Sequence, residues 1–370
     1  MNDRGRLLLA VIGHALAMLT LVSASVAAAA GEDPLFAEDT VVKAVLTAPI
    51  TQAYAQSSLE QRIYMPGQWT YVDAAGEIKK LDVSIRTRGN FRRRYCELPP
   101  LQLNFKKKQV RGTLFDGQNK LKLVSPCGHQ QRFQEYVLLE YLAYKTFEIM
   151  TDRSFRTRLI RLSYIDSDDK LDPWTALTFV IEDDKDMAKR LGLEQLHVDR
   201  VGFARLDRAQ TAVMELTQFL IGNNDYSLLQ GAEGEECCHN MVMLAAGADS
   251  PRIPIPFDFD ASGLVNASYA APPSFLPIRD VRDRYYHGLC QPPDVLDQAI
   301  ARLRDKRADV LALYAGMSDL SQKMRDKSVG YAEAFYKILD DPKRLNTDVR
   351  GQCRGAKLLE KIMQKSTDPT

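Results

Sequence analysis

From Lys79 the chain alternates, with Leu81, Val83 and Ile85 set between Asp82, Ser84 and Arg86, and Leu101, Leu103 and Phe105 repeat the period of two. That spacing sends successive side chains to opposite faces of a strand. Lys120 to Val124 is a third run of the kind, with Lys120 and Lys122 on one face. Turn signals at Gly89-Asn90, Pro99-Pro100 and Asp116-Gly117 separate the runs, so an antiparallel sheet is expected. Gln131 to Met150 holds Leu, Tyr and Glu without Gly or Pro and predicts a long helix. Two further strands are expected over Leu159 to Ile165 and Thr175 to Ile181, joined by the polar turn Asp166 to Asp172. Beyond Glu182 the period becomes helical, first over Asp186 to Gly192. Arg208 to Ile221 then gathers Ala212, Leu216, Phe219 and Leu220 on one face. After Pro292-Pro293, amphipathic helices are expected over Asp294 to Tyr314, Asp319 to Leu339 and Lys357 to Gln364. Residues 31–75 are mixed and predict no particular element.

The first thirty residues change the reading of everything after them. Arg4 and Arg6 precede an apolar run from Leu7 to about Val22, followed by small residues to Ala30, the pattern of an export signal removed from the mature chain. A periplasmic or secreted protein with no stable membrane span after cleavage is expected. Export would place all 6 cysteines in an oxidising compartment, where pairing is favoured. Cys96 with Cys127 is the preferred pair because both end strand-like segments of one basic region. Cys290 with Cys353 is a second. Zinc is disfavoured because Cys237, Cys238 and His239 lack paired C-x-x-C spacing.

With 49 basic against 48 acidic residues, no global field favours nucleic acid or an anionic membrane. The basic run from Arg86 through Arg94, with Lys106 to Lys108, is interleaved only with Phe91 and Tyr95. That is sparse for a nucleic-acid surface. Neither a G-x-S-x-G elbow nor an H-E-x-x-H pair occurs, which removes two common hydrolase readings.

The candidate chemistry is concentrated between Gly222 and Gly263. Asn223-Asn224-Asp225 follows a helix, Asn240 comes next, and Asp258-Phe259-Asp260 follows the apolar stretch Ile253 to Phe257. Period two puts Asp258 and Asp260 on one side of an extended segment, with Phe259 turned to the core. Two acids beside Pro and Phe repel unless a cation or hydrogen-bond donors compensate them. Asn and Asp also favour plain turns after helices, so Asn223 to Asp225 read alone has a second, purely local explanation.

The ordered set of "NKLKLVS" with Lys122, "QEYVLLEYLAYK", "ALTFVIEDD", "IGNNDYS", His239-Asn240 and "PIPFDFDASG" resembles the secreted atypical kinases of the spore-coat protein H (CotH) type. The similarity extends more remotely to HipA-like and eukaryotic-type kinases. The resemblance spans about Leu81 to Gly263. It implies an α+β, two-lobed protein-kinase-like fold, with a β-rich N-lobe over 31–183 and a mostly helical C-lobe over 184–370. The implied activity is ATP-dependent phosphoryl transfer assisted by Mg2+, with Mn2+ as a substitute, possible acceptors being protein Ser or Thr.

Carried over by motif, Asp225 would be the catalytic acid that orients the acceptor hydroxyl. Asn240 and Asp258 would hold the metal, with Asp260 as a second carboxylate ligand or as the cap of the turn at Ser262-Gly263. Asn240 lies farther from Asp225 than the family spacing implies, and Asn224 is the alternative amide. Lys122 would contact phosphate, paired with Glu140, with Lys120 and Glu135 as the other pairing. Thr178 to Asp183 would bind adenine through its backbone, Glu182 standing at the hinge. Arg88, within Arg86 to Asn90 and together with Arg92, Arg93 and Arg94, would cradle phosphate where the family has a short glycine-rich loop, which is not evident here. The alternative is a catalytically inactive scaffold that binds an envelope component or a partner protein.

Overall fold

Closure organises the N-terminal half. The computed structural model describes residues 33–231 and 234–367, and the export signal expected over 1–30 lies outside them. The barrel strands are β1 (Val42–Ala48), β2 (Met65–Val72), β3 (Ile78–Thr87), β4 (Leu101–Phe105), β5 (Lys120–Val124), β6 (Thr157–Asp166) and β7 (Trp174–Ile181). They close in the order β1-β2-β3-β4-β5-β7-β6. β1 pairs antiparallel with β2 and parallel with β6, where Val42 faces Ile160 and Ala48 faces Asp166.

The two-lobed, kinase-like fold expected from the sequence is therefore corrected. The chain forms a closed seven-stranded barrel within a mixed α/β structure, in place of a sheet lobe joined to a helical lobe. Alternation reveals that strands exist but not whether the first meets the last. The closing strands β1 and β2 lie in the stretch whose pattern predicted nothing. Inside the barrel Trp69, Tyr71, Phe105 and Phe115 are buried, and Trp69 meets Phe105 and Phe115 edge to face, with Trp69 and Phe115 centroids 5.7 Å apart. Such contacts add to the burial of large apolar area.

Helices α1 (Ile50–Ala55), α2 (Phe91–Tyr95), α3 (Gln131–Met150), α4 (Asp184–Arg190) and α5 (Arg208–Ile221) precede the C-terminal set α6 (Pro293–Asp305), α7 (Arg307–Gly316) and α8 (Gln322–Asp340). The expected helix over Asp294 to Tyr314 is two helices that meet at Lys306. α3 is buried on every side from Val137 to Tyr144, a mostly apolar stretch in which Glu140 is the one carboxyl. It packs on β7 on one side and on α5 and α7 on the other. Its side chains share one apolar core with α5, α6, α8 and Leu159, Leu177 and Phe179 of the barrel wall, while the barrel interior around Trp69 and Phe115 is a second, separate core.

A small sheet, β8 (Glu194–Gln195), β9 (Met241–Ala245) and β10 (Ile253–Pro256), is paired antiparallel in the order β10-β9-β8. Cys96 is bonded to Cys127 and Cys290 to Cys353, the two expected pairs, and Cys237 is bonded to its neighbour Cys238. Among the described residues, no helix is long and apolar enough to cross a membrane.

Candidate functional site

The end of α5 fixes the first functional group. Asp207 caps the start of α5 by accepting from Gln210 N at 2.9 Å. The helix stops at Gly222, whose φ of 65° is left-handed, and Asn223 N returns to Gln218 O at 2.8 Å. This bond and that from Gly222 N to Phe219 O satisfy the last carbonyls of the helix. A Cβ at Gly222 would overlap the Tyr331 hydroxyl, so glycine is required twice over, by conformation and by space.

The two amides that follow are structural. Asn223 Nδ2 donates to Gln218 Oε1 at 3.0 Å, its Oδ1 accepts from Asp225 N at 3.1 Å, and Asn224 Nδ2 donates to Asp283 O at 3.3 Å. Both are buried, and Asn224 does not line the cleft that Asp225 enters.

The β9–β10 hairpin supplies the next two groups. Met241 faces Pro256, so the residues just outside the hairpin's open end are neighbours, and Phe257 N donates to Asn240 O at 3.1 Å. Asn240 and Asp258 both take left-handed φ, 53° and 63°, a conformation that Asn and Asp tolerate best after glycine. Asn240 Nδ2 donates to Asp225 Oδ2 at 3.0 Å and to Asp225 O at 2.9 Å. The long sequence gap between Asp225 and Asn240 is thus spent on a loop that leaves and returns to the same place. His239 Nε2 lies 2.9 Å from Asp225 Oδ1, and this hydrogen bond raises the histidine pKa. Both carboxylate oxygens of Asp225 are held in one orientation.

Phe259 is buried, stacked on Phe147 at 4.9 Å and edge-on to Tyr144 at 4.6 Å. It pins the triplet, while Asp258 and Asp260 on either side of it line the cleft. The Tyr144 hydroxyl accepts from Asp258 N at 2.9 Å. Asp260 does not cap the following turn. Its carboxylate accepts from the Tyr269 hydroxyl at 3.1 Å and lies 3.8 Å from Arg92 Nε.

Arg92 is the hub of this face. It donates to Glu140 Oε2 at 3.1 Å and to Ser125 O at 2.6 Å. Burial pushes the Glu140 and Asp260 carboxyls up, Asp258 adds to the push, and Arg92 opposes it. Burial also works against the Arg92 charge, but Tyr269, Glu140, Asp260 and Asp258 outweigh it and keep the guanidinium protonated. Three carboxyl groups face one arginine, a set whose ionised form a bound cation would favour.

The remaining expected site residues divide. Lys122 and Arg88 line the cleft. Lys122 does not pair with Glu140. Its Nζ is 2.5 Å from Asp184 Oδ1 and sits over the rings of Phe155 and Phe257, at 5.3 and 5.1 Å. The alternative partner Glu135 accepts from the Ser321 hydroxyl at 2.7 Å. Glu182 is sealed away, holding Arg190 through both oxygens at 2.8 Å and accepting from Arg156 N at 3.2 Å. β7 pairs with β5 on one side and β6 on the other, so the backbone of Phe179 to Ile181 is committed to the barrel.

The cleft so bounded has a volume of about 620 Å3, within the range of ligand sites. Asp225, Asn240, Asp258, Asp260, Lys122 and Arg88 all line it, brought from segments far apart in the chain. A depression of about 660 Å3 between α7 and α8 is more open and gathers no comparable chemistry.

Among the described residues, no group of three or more His, Cys, Asp or Glu side chains is arranged to hold a metal ion by itself. The donors present still suit magnesium, which takes one or two carboxylates, keeps several waters and completes its shell with phosphate oxygens. Asp258 and the Asn240 amide oxygen are two such donors at one end of one hairpin.

His239 and Tyr269 belong to the site with no role expected for them, and Arg92, expected to help cradle anions, instead holds carboxylates. Arg92 was hidden in a basic run, and Tyr269 in a loop without periodicity. Compared with known proteins, the chain matches no family model and no curated protein.

Proposed function

We propose that the protein is a divalent-cation-dependent phosphotransferase that uses ATP, of the kind its resemblance to the spore-coat protein H kinases implies, working in the periplasm or outside the cell. The observation that carries this is the convergence of Asp225, Asn240 and Asp258 at one cleft, with Asp225 held by hydrogen bonds at both oxygens. Three disulfides fit an oxidising compartment.

In this reading Asp225 receives the proton of an acceptor hydroxyl as that oxygen bonds to the γ-phosphorus. The bond from phosphorus to the β,γ-bridging oxygen breaks, and the nucleoside diphosphate leaves. His239 and Asn240 keep the carboxylate aimed, and orientation matters more than basicity when the transition state is loose. Magnesium held by Asp258 and Asn240 would neutralise charge on the phosphates. Arg88, and Lys122 once released from Asp184, supply positive charge from the barrel side.

The test is a melting experiment with MgATP, coupled to measurement of ADP formation. Wild type gains several degrees, Asp258→Ala gains none, and Asp225→Ala keeps the gain but forms no ADP. The second reading, a catalytically silent scaffold, is favoured by the Lys122–Asp184 pair, which draws the lysine away from the acids. Equal and negligible shifts in all three proteins decide for it.

A further inference from the structure

Resting on the nucleotide reading above, we infer that the purine base stacks on an aromatic platform at the α2 rim of the cleft, built by Phe91 and Tyr95 and flanked by Tyr269. The familiar location for a base, the backbone of a strand leading out of the sheet, is closed here. Phe179 to Ile181 of β7 are paired on both sides, and the next amide, Glu182 N, donates to Arg156 O. The other aromatic rings lining the cleft are also taken. Phe257 has the Lys122 ammonium over its ring at 5.1 Å, and Tyr144 is buried between Phe179 and Phe259.

Phe91 and Tyr95 differ from these in having open faces. They are 54% and 53% exposed, lie one helical turn apart, and stack on each other with centroids 5.0 Å apart and planes 18° from parallel. Tyr269 meets them at 5.8 and 5.5 Å, and Phe91 and Tyr269 both line the cleft. Two large rings kept in water have a cost that a stacking ligand would remove. The platform also joins the acids directly, because Tyr269 donates its hydroxyl to Asp260 and Arg92 follows Phe91 in α2. A base on the rings would therefore leave its phosphates beside the positive and metal-holding groups.

The test compares MgATP with magnesium tripolyphosphate, which carries the phosphates and no base, by calorimetry on wild type and on Phe91→Ala/Tyr95→Ala. Both rings are on the surface, so the variant should fold, and circular dichroism checks it. Tyr269 is left intact because its hydroxyl serves Asp260. Stacking predicts that wild type prefers ATP over tripolyphosphate by about tenfold, and that the variant loses the preference while tripolyphosphate binding is unchanged. An ATP preference that survives in the variant overturns the platform and leaves the nucleotide reading standing, as does a wild type that binds both equally. Failure of wild type to bind either compound at millimolar concentration overturns the nucleotide reading and the platform with it.

Discussion

Asp260 and Glu215 are both carboxyl groups taken out of water, and their surroundings treat them differently. Asp260 sits at the wall of a cleft, shares Arg92 with Glu140, and has Asp258 as a neighbour. Glu215, in the middle of α5, is fully buried and accepts from Leu289 N with both oxygens, at 3.0 and 2.9 Å. Burial pushes the Glu215 pKa up to about 8 and pushes that of nearby His287 down to about 4. The pair is therefore uncharged across much of the range between. A displaced pKa is common to both regions and so does not mark the site. What separates them is that one cluster sets three carboxyl groups against one arginine at the wall of an open cleft, whereas the other is closed and packed into the helical core.

The sharpest way to break that contrast is to remove the cation that the buried carboxyls share. Arg92→Ala leaves Glu140 and Asp260 buried without their shared cation and should cost about 3–5 kcal/mol in urea unfolding, whereas an equal loss from a conservative surface arginine variant would contradict the role. Next in size is Gly222→Ala, expected to cost about 3 kcal/mol from left-handed strain and collision with Tyr331, and to abolish any MgATP-dependent melting shift by displacing Asp225.

The sealed cluster can be tested by pH alone. Glu215 has a raised folded pKa, so the unfolded chain ionises first and stability falls as pH rises from about 4.5 to about 8. His287 has a lowered folded pKa, so the unfolded chain takes up a proton first and stability falls as pH drops from 6.5 towards about 4. The wild-type minus Glu215→Gln difference should fall with rising pH by on the order of 5 kcal/mol, and the wild-type minus His287→Leu difference should rise by on the order of 3 kcal/mol. Parallel profiles for both would refute the assignment. The smallest effect is expected at Glu182→Gln, which weakens the pairing with Arg190 by about 1–2 kcal/mol and leaves nucleotide affinity unchanged, because that carboxylate does not line the cleft.

How far the residues alone foretell this structure depends on the range of the interactions involved. β3 to β7, α3 and α5 follow from alternation and helical spacing, which are local properties. Closure through β1 depends on its parallel pairing with β6, more than a hundred residues away, and nothing in Val42 to Ala48 announces it. The site divides along the same line. Asp225, Asn240, Asp258 and Asp260 were legible because acids and amides in loops beside apolar strands are costly without a purpose. The partner of Glu140 was not, because Lys122 and Arg92 are equally plausible cations until folding brings one of them against α3 and the other against Asp184.

The ladder that runs all the way round the seven strands has one more effect. An open sheet offers neighbours a row of unpaired amides and carbonyls, and many associations form by adding a strand to that row. Here the ring is complete, leaving that mode no purchase on the barrel. Whatever meets this half of the molecule has to be gripped by side chains at its rim, where the short helix bearing Arg92 is tied down by the Cys96–Cys127 bond.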